Sequence, residues 1–367
     1  MLAGLNEDLA FPLLLPRPKI SERGPYYSSV KGRRVLVTGA GGSIGSELVI
    51  QIAGSKPEHL VMTDHSELNL YEIDSTVRQG APQQSKLAAI LDVRDREGIA
   101  SLFAGEKPDI VFHAAALKHV PLLENAHNLI EAVLTNLVGT MNVADACARH
   151  GIEMVLISTD KAVHPTSTMG RTKRLAELYV QALARREMSD KFLQVRFGNV
   201  IGSSGSVVPL FRRQIAQGGP VTVTHPEMTR YMMSIKQAVE LVLNSSALHH
   251  EEGVGYGLYI LDMGDPIKII DLAEQLIRLA GLQPHKDIEI EIIGARPGEK
   301  LHEELVYPWE PLQQTRIEKV RVAVPEPNED LDCAPFEELR ELAYDREHER
   351  VHRLMAEILC FSELQIA

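Results

Sequence analysis

The run Gly39-Ala-Gly-Gly-Ser-Ile-Gly45 places glycines at 39, 42 and 45, directly after a short β-type stretch and at the start of an apolar-periodic one. Glycine there permits a tight turn and lets backbone N–H groups approach a pyrophosphate at a helix N-terminus, with Ser43 and Ile44 carried in the same turn. Asp64 stands about 20 residues further on, at the end of the next strand candidate, where a carboxylate binds a ribose 2′-hydroxyl. The same carboxylate repels a 2′-phosphate, so the pattern predicts NAD rather than NADP. Asp92-Val93 after the third strand candidate is placed to cap the adenine, and Ala114-Ala115-Ala116 after the fourth leaves room beside the cofactor. Asn136 falls mid-helix, where an unpaired buried amide is costly. It is either a bridge between helix and strand or part of the cofactor site. A second group, Thr159-Asp160-Lys161, sets a hydroxyl, a carboxyl and an amine at the end of the fifth strand candidate. Ligands gather in that zone, beyond strand C-termini.

Regular alternation positions these residues. Strand candidates at 34–38, 59–63, 86–90, 110–113, 154–158 and 192–196 are separated by helical patterns, notably 46–53, 129–150 and 170–186. Parallel strands need crossover helices, so the pattern predicts an α/β fold, a Rossmann-type doubly wound parallel sheet. Beyond 198, glycines and prolines loosen the pattern around helical stretches at 236–247 and 269–280 and strands at 256–261 and 288–292. This predicts a smaller C-terminal α/β substrate lobe. The division expected is an N-terminal arm (1–30), a dinucleotide domain (31–198), a partly interleaved substrate lobe (199–330) and a helical segment (331–367), with one surface-packed helix over 334–361. His249-His250 reads as a solvated helix end, because adjacent helix residues do not face one point as metal ligands must.

Composition narrows the class. Lys plus Arg number 38 against 50 Asp plus Glu, a formal net charge of −12, which argues against a nucleic-acid partner. No apolar run is long enough to span a bilayer, and the first residues lack the basic and apolar regions of a secretory signal. Three cysteines without paired spacing, Cys147, Cys333 and Cys360, disfavour a disulfide framework or a zinc site and fit a reducing cytoplasm.

Four stretches narrow the reading further: His113-Ala-Ala-Ala-Leu-Lys-His-Val-Pro121, Ser158-Thr-Asp-Lys-Ala162, Arg196-Phe-Gly-Asn-Val200 and Arg296-Pro-Gly-Glu-Lys-Leu-His-Glu303. Over roughly residues 30–310 the chain resembles the extended short-chain dehydrogenase/reductases. Within them it resembles the polysaccharide-biosynthesis branch, the UDP-N-acetylglucosamine 4,6-dehydratases. Many of those carry a membrane-spanning N-terminal part that this chain does not show. The resemblance implies a lyase acting on UDP-N-acetylglucosamine with internally recycled NAD, for surface polysaccharide or glycan synthesis. The C-4 hydroxyl is oxidised, the C-5 hydrogen leaves as a proton, water leaves from C-6, and the hydride returns to C-6. It also implies a homo-oligomer, with the helices at 129–150 and 170–186 as candidate interface.

The superfamily's Tyr-x-x-x-Lys pair is here Met169-Gly-Arg-Thr-Lys173, so the position of its usual proton donor holds a thioether. Lys173 can still hold the ribose hydroxyls. Methionine at 169 beside Thr159-Asp160-Lys161 resembles the subgroup that retains configuration at C-5. On that basis Lys161 removes the C-5 proton, Asp160 protonates the departing C-6 hydroxyl, and Thr159 relays the C-4 proton. That assignment needs neutral lysine and protonated aspartic acid, the opposite of their defaults at neutral pH. Lys118, Asn199, Arg230, Arg296 and Glu299 are the candidate substrate-binding residues, the arginines suiting a diphosphate through fork-shaped donors. His119 reads as a packed or capping histidine. The alternatives are a UDP-sugar 4-epimerase, a C-5-inverting dehydratase, or a non-catalytic NAD-sensing scaffold.

Overall fold

A computed structural model describes residues 28–252, 256–323 and 332–364; the expected arm lies almost wholly outside them. Six β-branched and apolar runs form the strands β1 (Arg34–Thr38), β2 (His59–Asp64), β3 (Lys86–Ile90), β4 (Ile110–His113), β5 (Glu153–Ile157) and β6 (Phe192–Arg196). Each matches its expected position within a residue. Short strands β7 (Asn199–Ile201), β8 (Val221–Val223), β9 (Thr229–Arg230) and β10 (Met232–Ser234) follow, then β11 (Gly257–Leu261), β12 (Ile267–Lys268), β13 (Ile290–Ile292), β14 (Leu312–Gln314) and β15 (Val320–Ala323).

The nine-stranded sheet runs β14-β15-β11-β6-β5-β4-β1-β2-β3. From β3 through β11 every pairing is parallel, and β15 and β14 add an antiparallel edge. The order reverses between β1 and β4, the crevice at which doubly wound sheets bind ligands.

Helices cover both faces. On one, α1 (Ser43–Gly54), α2 (Glu67–Gly80) and a later helix, Ile235–Glu252, bury Leu48, Val49, Ile52, Ile73, Val239 and Val242 against the sheet. On the other lie α3 (Arg96–Glu106), α4 and α5 (Thr168–Arg186). The α4 helix runs as Leu129–Ala132, a π-helical stretch Val133–Val138, and Gly139–His150. Val207–Ala216 (α6) and Ile269–Leu279 (α8, after α7, Ile235–Glu252) enclose a separate apolar cluster of Phe211, Ile215, Met228, Leu272, Ile277 and Ile288, the core of the smaller lobe.

The structure corrects two expectations. The stretch at 334–361 is two helices, α9 (Ala334–Tyr344) and α10 (His348–Leu364), because Asp345 and the left-handed Arg346 interrupt it. Phe336, Leu339, Val351 and Met355 join the same core as α4 and α5, and Phe336 meets Tyr179 edge-on at 5.6 Å. This chain's own C-terminal helices therefore pack on the α4–α5 layer. Finally, His249 is not solvated: α7 continues past it, the residue is 3% exposed, and Nε2 lies 2.8 Å from the Asp190 carbonyl.

Candidate active site

The glycine turn is shaped by close approach. Gly39 has φ +66°, and a Cβ there would lie 2.6 Å from the Ala115 nitrogen; one on Gly45 would lie 1.9 Å from the Gly39 oxygen. Gly42 is the exposed N-cap of α1, with no side-chain cap and no acidic residue in the first turn. Ser43 and Ile44 open the helix. Its first N–H groups are thus left for an external anion, the chemistry a pyrophosphate supplies. Asp64, 5% exposed at the end of β2, accepts from Gly41 N (3.0 Å) and Ser66 N (2.9 Å), so the acid also fastens the glycine turn. These residues fit a dinucleotide.

Around them, Ala114 and Ala115 continue from β4 along the turn. Asp92 is clasped by Arg94: burial pushes its carboxyl up, and the Arg94 hydrogen bonds outweigh that and leave it below its usual value. Val93 is buried, and a Cβ on Gly139 would lie 2.5 Å from its Cγ2. Asn136 spends its amide inside the protein, accepting from Leu117 N (2.7 Å) and donating to Leu117 O and Thr172 Oγ1 (both 3.0 Å). It braces the loop after β4 to α4 and α5, the bridging alternative of the two.

At the end of β5, Thr159 caps a single 3₁₀ turn, Asp160–Ala162, and Asp160 N is fixed to Phe197 O (3.0 Å). Asp160 is fully buried. Its Oδ1 accepts from Lys161 Nζ and from Thr159 Oγ1, each at 2.9 Å, while Oδ2 finds no partner among the described residues. Lys161 Nζ also donates to Asn199 Oδ1 at 2.8 Å, so the turn after β5 and the start of β7 meet at one amine. Lys173 reaches back from α5 to donate to Ile157 O at 2.6 Å, and burial lowers its ammonium to about 8, against the pull of Glu177. Met169 is packed with Leu117, Val120, Leu123 and Ala132 in an apolar cluster.

Lys161 and Asn199 line a cleft of ≈ 390 Å³ whose far wall is the small lobe. Lys118, His119 and Arg296 stand exposed on its border, His119 packed over Gly205. Glu299 orients Arg296 through its backbone, accepting from Arg296 N at 3.1 Å. Arg230 is buried in the wall and gives Nη1 to Thr229 O (2.7 Å) and Leu301 O (3.3 Å), so part of its fork is already engaged.

Two features escaped the sequence reading. Glu303, the last residue of the fourth stretch, lines the cleft with its Oε1 3.8 Å from Lys161 Nζ. Behind it, fully buried Arg196 forks to Glu177 (2.7 and 2.6 Å) and Glu310 (2.6 and 3.0 Å). Tyr307 OH donates to Ala162 O at 3.2 Å, Thr166 Oγ1 to Gly298 O at 3.0 Å, and Lys300 Nζ to Val163 O. The segment 296–310 is therefore latched onto the turn that carries Lys161. The buried Arg in the third stretch was the signal for that clamp, but its two carboxylates lie far away in sequence.

A doubly wound sheet, a glycine turn at its switch point and a Lys on the helix after β5 define an extended short-chain dehydrogenase/reductase. The chain belongs to the polysaccharide biosynthesis protein family, whose model matches residues 35–325. It is 46% identical over 290 residues to the capsular polysaccharide biosynthesis protein CapD of Staphylococcus aureus, covering 78% of this chain and 47% of that protein. The chain thus spans about half the length of that relative. It is 36% identical over 281 residues to a UDP-N-acetylglucosamine 4,6-dehydratase (inverting) of Campylobacter jejuni, covering 75% of this chain and 78% of the relative. Among solved structures, Pen from Bacillus thuringiensis superposes with a TM-score of 0.72 at 32% identity, covering 86% of this chain and 98% of that one. Among the described residues no helix is long and apolar enough to cross a membrane.

Proposed function

We propose that this chain dehydrates UDP-N-acetylglucosamine to a UDP-4-keto-6-deoxy-N-acetylhexosamine with retention at C-5, using NAD held at the glycine turn. The observation that carries the reading is the contact of Lys161 Nζ with Asp160 Oδ1 at 2.9 Å, with Lys161 on the wall of the cleft. Bound NAD would supply reversible hydride acceptance from C-4.

The proton work falls to the chain. Passing one proton across the 2.9 Å contact turns the ion pair into a free amine and a carboxylic acid together. Lys161 takes the C-5 proton, and Asp160 gives its own to the C-6 hydroxyl, which leaves as water. Asp160 already holds a proton at that stage, so Thr159, which donates to Asp160 Oδ1, relays the proton of the C-4 hydroxyl to water. Lys161 then returns its proton to C-5, one proton taken back from water restores the resting pair, and the proton count closes on loss of one water. Inversion would need a second group to deliver that last proton. Met169, a thioether in an apolar cluster, provides none. Lys173 holds the ribose, Asn199 holds Lys161, and Lys118, Arg230, Arg296 and Glu299 receive the UDP-sugar. Incubation with UDP-N-acetylglucosamine tests the reading by mass spectrometry and NMR. Loss of one water with unchanged C-5 configuration is expected. An isomer of unchanged mass would make it an epimerase, an inverted C-5 would overturn retention, and NAD binding without turnover would leave a scaffold.

A further inference from the structure

Resting on that reading, we propose that Glu303 is a positioning residue that holds a proton in the resting enzyme, so that Lys161 is free to become a base. Glu303 is 8% exposed. Its neighbouring cations stand outside hydrogen-bonding distance, Lys161 Nζ at 3.8 Å and Arg230 Nε at 3.7 Å, both from Oε1. Its Oε2 is buried and finds no partner among the described residues. A buried carboxylate without donors is costly, and protonation removes the cost. Asp160, fully buried on the other side of Lys161, is a second carboxyl around the same ammonium, and it holds the closer contact. Two carboxyls sharing one cation favour a proton on the one with the poorer partners. The groups facing Glu303 are Lys161 and Asp160 from the turn after β5, Arg230 from β9 and Lys300 from its own segment, whose ammonium is engaged by Val163 O. Their balance agrees: burial raises its carboxyl above the usual value, Asp160 adds to that, and the cations oppose it.

The consequence lies in Lys161. An ionised Glu303 would be a second anion holding Lys161 as ammonium and opposing proton transfer to Asp160. A neutral Glu303 leaves the pair free to exchange. The latch of 296–310 onto the 160–166 turn keeps the acid at this distance.

Two measurements on the NAD-loaded protein test this. Infrared difference spectra of wild type against Glu303→Gln should show the carbonyl stretch of a protonated carboxyl at neutral pH, lost on alkaline titration. Its absence overturns the proposal whether or not the protein dehydrates UDP-N-acetylglucosamine; its presence without turnover sinks the dehydratase reading and leaves the proton on Glu303 standing. C-5 deuterium exchange should fall on the alkaline side in wild type as Glu303 ionises. In Glu303→Gln that limb should move up by about one pH unit or more, with neutral-pH exchange within about tenfold, while Glu303→Asp keeps a limb near its original place. Superimposable profiles for wild type and Glu303→Gln would overturn it. So would a loss of more than about 100-fold in Glu303→Gln with NAD and UDP still bound, since that would make the ionised carboxylate necessary.

Discussion

The glycine turn and the cluster around Lys161 are built in different ways. At the turn, the groups offered are backbone N–H, and glycines make the space by omission. Around Lys161, Asp160, Asn199, Arg230 and Glu303 come from separate segments and meet through polar and charged side chains. The first tolerates no added atom; the second tolerates no misplaced proton. Substitutions should therefore separate cofactor binding from proton transfer.

The largest effect is expected for Lys161→Met, which should lower C-5 deuterium exchange by about 10²–10⁴-fold while NAD affinity holds. Equal loss of both would break the division. Gly45→Ala should do the reverse. Its Cβ would stand 1.9 Å from the Gly39 oxygen, and the overpacking should cost about 3 kcal/mol or more, read as weaker NAD binding in titration and a lower Tm. Glu310→Gln removes one of the two carboxylates on Arg196, at about 1.5–3 kcal/mol of stability by denaturant melt. Because Arg196 ties down the segment 296–310, KM for the UDP-sugar should rise while NAD binding stays put. The last effect concerns pH. Lys173 has its ammonium lowered to about 8 from 10.5, so between those values the unfolded chain binds a proton that the folded one does not. Stability of the cofactor-free protein should rise with pH across that window, and Lys173→Met should flatten the rise in Tm.

Much of the strand–turn–helix unit at the glycines was legible because its signals are contiguous: a strand, a glycine turn, a helix and a carboxylate one strand later. The same residues hold the same places in the structure. Thr159, Asp160 and Lys161 were legible as a group, although their pairing geometry was not. Asn136 left two alternatives open because its partners, Leu117 and Thr172, are set by how α4 and α5 pack. His249 appeared exposed because the carbonyl it meets, Asp190, is brought in by the turn before β6. The fate of the α4–α5 layer was likewise hidden, since a helix pair with apolar spacing does not state whether a second copy or its own C-terminus covers it.

The sequence by itself determined the strand–helix alternation, the glycine turn, the carboxylate at 64 and the thioether at 169. Each depends on local backbone geometry or on the chemistry of one side chain. Only the tertiary structure decided that Glu303 stands beside Lys161, that Arg196 clamps two distant glutamates, and that α9 and α10 cover α4 and α5. The first two arise where parallel strands end side by side and the third where helices stack on the sheet, and both are fixed by packing among distant segments. The burial that moves the protons of Lys173 and Glu303 is a property of that assembly.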